Sequence, residues 1–140
     1  MKRRVPVIGR MLATAVVLVL GSAPVTGGAT AATTRGALKA LDPDRDGTVS
    51  LAEAKAAASR VFSRLDRDRD GTLDRGELRG RMVSKEFAAA DRDRDGTLDK
   101  AEYLSAVEKS FRAADRDSDG TLDAKELSSP RGRVLRRLLQ

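Results

Sequence analysis

Asp91, Asp93, Asp95, Asp99 and Glu102 crowd into one twelve-residue stretch, DRDRDGTLDKAE, with Gly96 at its sixth position. Carboxylates at this density offer only oxygen, the donor that hard cations take. The spacing suits one ion held inside a tight loop. Asp91, Asp93 and Asp95 converge because alternate side chains point inward, and Gly96 supplies the sharp turn. Thr97 offers its backbone carbonyl, and Asp99 reaches the ion directly or through water. Glu102 is long enough to give both oxygens from the first turn of a following helix. The same pattern recurs three more times. In loop one the candidate ligands are Asp42, Asp44, Asp46, Thr48, Ser50 and Glu53. In loop two they are Asp66, Asp68, Asp70, Thr72, Asp74 and Glu77. Loop three is the stretch just described, and loop four offers Asp115, Asp117, Asp119, Thr121, Asp123 and Glu126. Four copies with a Glu fixed six residues after each Gly are not the composition of an acidic linker.

Composition narrows the chemistry further. The chain has 140 residues, no Cys and no His, which excludes disulfides, thiolate sites, imidazole catalysis and His-ligated zinc. No nucleophile–base constellation stands outside the loops, so the chain reads as a binding protein and not an enzyme. The first 31 residues read as an export signal. Lys2, Arg3, Arg4 and Arg10 precede the short apolar run from Met11 to Leu20, and Ala29-Thr30-Ala31 fits a cleavage site, with Ala32 or Ala23 as alternatives. The run is shorter than the ~20 apolar residues of a spanning helix. The expected mature part, 32–140, is one domain, periplasmic or secreted. Four of the 27 basic residues lie in the signal, leaving 23 against 21 acidic ones, a net charge of about +2. With no aromatic stacking platform and no long basic stripe, nucleic acid is not an expected partner; metal ions are.

The elements that must position the loops follow from apolar periodicity. Thr33 or Thr34 can cap a short helix ending near Leu41, and Pro43 discourages its continuation through Asp42. Leu51, Ala54, Ala57, Ala58, Val61, Phe62 and Leu65 predict one unbroken helix between loops one and two. Tyr103, Leu104, Val107, Phe111 and Ala114 predict another between loops three and four. The middle segment, 78–90, has Leu78, Met82, Val83 and Phe87 but also Gly80, so its helix is expected to kink or to start late, near Ser84. Ser129-Pro130 reads as a helix start. The short basic helix beyond it sets Arg131, Arg133, Arg136 and Arg137 against Val134, Leu135, Leu138 and Leu139, and its apolar side is expected to cap the core; the other reading is a partner or anionic-membrane contact. A continuous helix between loops one and two spans roughly 20 Å at 1.5 Å per residue. Three such antiparallel helices would pair loop one with loop three and loop two with loop four, Val49 facing Leu98 and Leu73 facing Leu122.

The loops have the EF-hand pattern. Four of them, separated by only 12 or 13 residues, an export signal and Pro43 at loop position two together resemble the lanmodulin-like EF-hand proteins, which are periplasmic and bind lanthanides. The resemblance covers roughly residues 38–140 and includes stretches such as DGTLDKAEYLSAVE. It implies an all-α fold with a compact three-helix core, short terminal helices and peripheral metal sites. It also implies Ca²⁺ or lanthanide(III) ions, up to four, with lanthanides preferred. Two departures stand out: Arg67, Arg92 and Arg116 occupy position two where the family places Pro, and Ser50 stands at position nine of loop one where Asp is expected.

Overall fold

Two fifteen-residue helices carry the architecture. In the computed structural model, which describes residue 36 and residues 38–140, the end of a first helix α1 (38–41) leads into loop one. The order then runs β1 (Val49–Ser50), α2 (Leu51–Leu65), β2 (Thr72–Leu73), α3 (Ser84–Ala90), β3 (Leu98–Asp99), α4 (Lys100–Ala114), β4 (Thr121–Leu122), α5 (Ala124–Ser128) and α6 (Pro130–Leu138). The expected export signal and the cap at Thr33 or Thr34 lie outside the described residues. No helix among the described residues is long and apolar enough to cross a membrane.

The all-α architecture is as expected, and α2 and α4 are unbroken as the periodicity requires. Ala54, Ala57 and Ala58 are buried on α2 and let its backbone come close to α4. Phe62 meets Tyr103 with ring centroids 5.8 Å apart and planes tilted by 57°, an attractive geometry for two aromatic quadrupoles. Lys55 bridges to Glu108 at 2.6 Å across the same pair of helices.

The loop pairing differs from expectation. Val49 faces Leu122, joining loops one and four. Leu73 faces Leu98, joining loops two and three. Adjacent loops can meet because the segment between them is not a helix throughout. After Leu73 the chain makes one turn, with the Leu78 N–H donating to the Asp74 carbonyl at 3.1 Å. Gly80 then takes φ +80°, and helix resumes only at Ser84. A right-handed helix cannot pass through that left-handed residue, so the chain doubles back. The late start at Ser84 was legible; its consequence for pairing was not. Leu78 and Phe87 pin the doubled-back segment to the core, with the Arg75 guanidinium 4.7 Å from the Phe87 ring centroid.

At the C-terminal end, the Ser129 hydroxyl caps α6 by accepting the Gly132 N–H at 3.0 Å, and Pro130 occupies the first turn. Leu135, Leu138 and Leu139 are buried, so the apolar side of α6 does cap the core. A β-carbon on Gly132 would overlap the Glu126 carbonyl oxygen and lie 2.6 Å from Leu127 Cα. Only glycine lets α6 sit that closely on the end of α5. The Tyr103 hydroxyl donates to the Leu138 carbonyl at 2.6 Å, which ties α4 to α6. Arg64 and Arg81 both donate to the Gln140 carbonyl, at 2.7 and 2.9 Å.

Candidate metal centre

Each loop opens where a helix ends, with the first Asp at or just past the C-terminus, and closes where the next element begins. The four share one backbone shape. Position four is left-handed in all of them, Arg45, Arg69, Arg94 and Ser118 having φ of 62°, 62°, 64° and 60°. The glycine at position six follows with φ between 87° and 91°. This double left-handed step is the sharp turn. It brings the Gly47, Gly71, Gly96 and Gly120 N–H groups onto the position-one carboxylates at 3.0–3.2 Å.

The turn gathers carboxylates into tight triads with ligand atoms within 4.8 Å of one another: Asp42, Asp44 and Glu53; Asp66, Asp68 and Asp70; Asp91, Asp93 and Glu102; Asp115, Asp117 and Glu126. The triads leave out Asp46, Glu77, Asp95 and Asp119. They also leave out the residues at positions seven and nine. Three position-five carboxylates turn elsewhere: Asp46, Asp95 and Asp119 accept both the N–H and the hydroxyl of Thr48, Thr97 and Thr121 at 2.7–2.8 Å. Asp70 accepts the same pair from Thr72 while remaining in its triad. Position nine caps the next element. Asp74, Asp99 and Asp123 accept the N–H of Glu77, Glu102 and Glu126 at 2.7–2.8 Å, and Ser50 Oγ does so for Glu53 at 3.3 Å. Sequence reading saw position nine only as a ligand. The S/T/D-x-x-E spacing in each loop was the overlooked signal for a capping box.

Hydrogen bonds within the loops lower three of the carboxylates, and a neighbouring carboxylate raises a fourth. The Thr97 hydroxyl and N–H hold Asp95 below the usual carboxylate range, and the Thr121 N–H and hydroxyl do the same for Asp119. Burial acts to raise Asp42, but the Gly47 N–H, the contact with Asp44 and the N–H groups of Arg45 and Asp46 outweigh it and leave it lowered. Asp44 is raised, first by the Asp42 side chain beside it and then by burial and the charges of Asp46 and Glu53. In loop one, therefore, the neighbouring carboxylates disfavour the charged form of Asp44. The Arg side chains at positions two and four, Arg45, Arg67, Arg69, Arg92, Arg94 and Arg116, are exposed, where solvent screens them.

The fit to a cation rests on one oxygen per loop. Glu53 Oε1, Asp66 Oδ1, Asp91 Oδ1 and Asp115 Oδ1 are enclosed and accept no hydrogen bond. An enclosed carboxylate oxygen without a donor is costly. It belongs to the acceptor-only chemistry that a hard cation satisfies. Residues 58–83, 85–107 and 106–129 match the protein family described as EF hand, and together these stretches span just over half of the chain. The chain belongs to the EF-hand family. The three matches contain loops two, three and four. No curated protein matches the chain. As an EF-hand protein it has the family's metal-binding loops. Their position-one, -three and -five aspartates, position-seven carbonyls, position-nine side chains and position-twelve glutamates are the groups that would hold an ion.

Proposed function

We propose that this EF-hand protein is an exported binder of hard cations, Ca²⁺ and lanthanide(III) ions, that folds around as many as four of them. The observation that carries this reading is the single donorless, enclosed carboxylate oxygen in every loop. A bound cation supplies two or three positive charges that partly offset the four or five carboxylates of each loop. The chain's own part is to converge them: the two left-handed residues bend the loop, and the reciprocal hydrogen bonds with position nine fix Glu53, Glu102 and Glu126 at helix starts and Glu77 in the turn after β2. The core is small for 140 residues, with three Phe, one Tyr and no Trp. Mutual repulsion among loop carboxylates therefore weighs heavily against the metal-free fold, and binding free energy becomes folding free energy.

The trivalent preference follows from charge density. At equal distance a third positive charge raises ion–carboxylate attraction by about half. Asp74, Asp99 and Asp123 give loops two to four a fifth carboxylate, where loop one has Ser50. Loops two to four bind La³⁺ more tightly than Ca²⁺ on this reading, and loop one is least selective. Competition between La³⁺ and Ca²⁺ followed by circular dichroism tests it. The expected result is a large gain of helicity with La³⁺ at lower concentration than with Ca²⁺. Full folding by micromolar Ca²⁺ with no advantage for La³⁺ would make this a calcium protein. For export, N-terminal sequencing of the periplasmic protein is expected to begin at Ala32; a chain still starting at Met1 contradicts it.

A second reading has a favouring observation of its own. With its leucines buried, α6 turns exposed Arg131, Arg133 and Arg137 outward, a face suited to an anionic partner or membrane. Co-sedimentation with anionic vesicles, with and without Ca²⁺, separates this from a protein that only binds ions.

A further inference from the structure

The twelfth-position glutamate is held differently in loop one than in the other three. In loops two, three and four the main-chain N–H of position two donates to it across the mouth of the loop. Arg67 N–H reaches Glu77 Oε1 at 2.9 Å, Arg92 N–H reaches Glu102 Oε1 at 2.7 Å, and Arg116 N–H reaches Glu126 Oε1 at 2.7 Å. The other oxygen of each accepts the position-nine N–H at 3.1–3.3 Å. In loop one, position two is Pro43, which has no N–H to give. Glu53 Oε2 keeps the position-nine contact, accepting the Ser50 N–H and hydroxyl at 2.8 Å each. Glu53 Oε1 is left enclosed and without a donor. The backbone shape does not account for the difference, because the left-handed step is the same in all four loops. The free oxygen has moved with it. In loops two to four it is on the position-one aspartate, and in loop one it is on the glutamate.

We infer that the main-chain N–H at position two is a positioning group for the bidentate glutamate, present in loops two to four and deleted by Pro43 in loop one. A carboxylate oxygen has two lone pairs. One can take the N–H while the other faces into the loop, so the clasp orients the glutamate without using it up. It also closes a ten-residue gap between the start and the end of the loop before any ion arrives. Glu53 has no such clasp and is aimed only through Oε2. Outer hydrogen bonds to a ligating carboxylate typically change metal affinity by about 10–100-fold when removed. Position two is therefore set by its main chain, and the exposed Arg side chains there are secondary. The assignment rests on these loops binding cations.

Three variants of the full chain, titrated with La³⁺ and followed site by site through the amide resonances of Gly47, Gly71, Gly96 and Gly120, test it. Arg92→Ala keeps the N–H and removes the charge; loop three is expected to stay within roughly twofold of wild type, given the screening of an exposed cation. Arg92→Pro removes both and is expected to weaken loop three alone by about 10–100-fold. Pro43→Ala restores an N–H without introducing a proline. It is expected to tighten loop one and to give residue 43 an amide protected from hydrogen exchange in the loaded protein. The inference is overturned if Arg92→Pro, still folded, binds as tightly as Arg92→Ala. A freely exchanging residue-43 amide with unchanged loop-one affinity overturns it too, and this arm stands if the Arg92→Pro chain does not fold. A wild-type chain that takes up no La³⁺ overturns the metal reading itself, a result distinct from either of these.

Discussion

Residues 54–65 and 78–90 join successive loops with almost the same number of residues, yet one is helix throughout and the other doubles back. Both are apolar at helical spacing. The first has no glycine, and Ala54, Ala57 and Ala58 are buried against α4. The second has Gly80 at φ +80°, with helix confined to its last seven residues. That one backbone angle decides which loops meet. A segment that stays helical holds its two loops apart at opposite ends, and a segment that breaks lets them bridge. The global arrangement is set by which connector fails to be a helix.

Breaking the unbroken connector has the largest expected effect. Ala58→Pro removes a helical hydrogen bond at a fully buried position of α2 and costs about 3 kcal/mol or more. Thermal unfolding of the ion-loaded protein should show it as a large drop in midpoint, and an unchanged midpoint would mean that α2 is not the spine it is taken to be. Next is the tie that fastens α4 to α6. Burial pushes the Tyr103 hydroxyl up to about 12, against the smaller opposing pull of Arg81 and Arg64. The folded state thus favours neutral tyrosine more than the unfolded chain does. That stabilisation is fully present below the unfolded value near 10 and is lost as pH rises through about 12, a difference of order ~3 kcal/mol. Because Tyr103 is the only tyrosine, tyrosinate absorbance reports it directly. Wild type should lose stability between pH 10 and 12, and Tyr103→Phe should be flat there.

Gly80→Ala probes the broken connector itself. The space around Gly80 is open, so the cost is conformational, roughly 1–2 kcal/mol for a left-handed alanine. Lower stability with the Leu73–Leu98 bridge retained is expected. A gain in helix content with loss of that bridge would show the segment going straight and the loops separating. The smallest effect belongs to the ion pair across the two unbroken connectors. Lys55, by hydrogen bond and charge, and then Arg112, hold the Glu108 carboxyl below its ordinary 4.5. Its contribution is present above that value and lost as pH falls through the lower folded value. Glu108→Gln should lower stability slightly at neutral pH and shallow the acid limb of unfolding, the difference from wild type vanishing once pH falls below the lowered folded value.

The loops and both long helices were legible because their signals are local: a ligand at each fixed position and apolar residues every three or four. Ser129-Pro130 was legible for the same reason. Loop pairing was not, because it depends on the hand of one glycine, which spacing does not reveal; Gly80 marked a weak point without saying which way the chain would turn. The capping role of Asp74, Asp99 and Asp123 was hidden behind their expected role as ligands. The clasp at position two involves main-chain N–H groups, invisible in side-chain types except where Pro43 removes one. The fit of Gly132 against α5 and the Tyr103–Leu138 tie are contacts between elements distant in sequence, and no local pattern announces them.

The two bridges and the two long helices have a joint consequence. Loop one is tied to loop two through α2, loop two to loop three through Leu73 and Leu98, loop three to loop four through α4, and loop four back to loop one through Leu122 and Val49. The four sites form a closed circuit with no end stations. Each has two neighbours, one reached along a rigid rod and one across a two-residue splice. Severing any single link leaves every site still connected to the rest by the other way round.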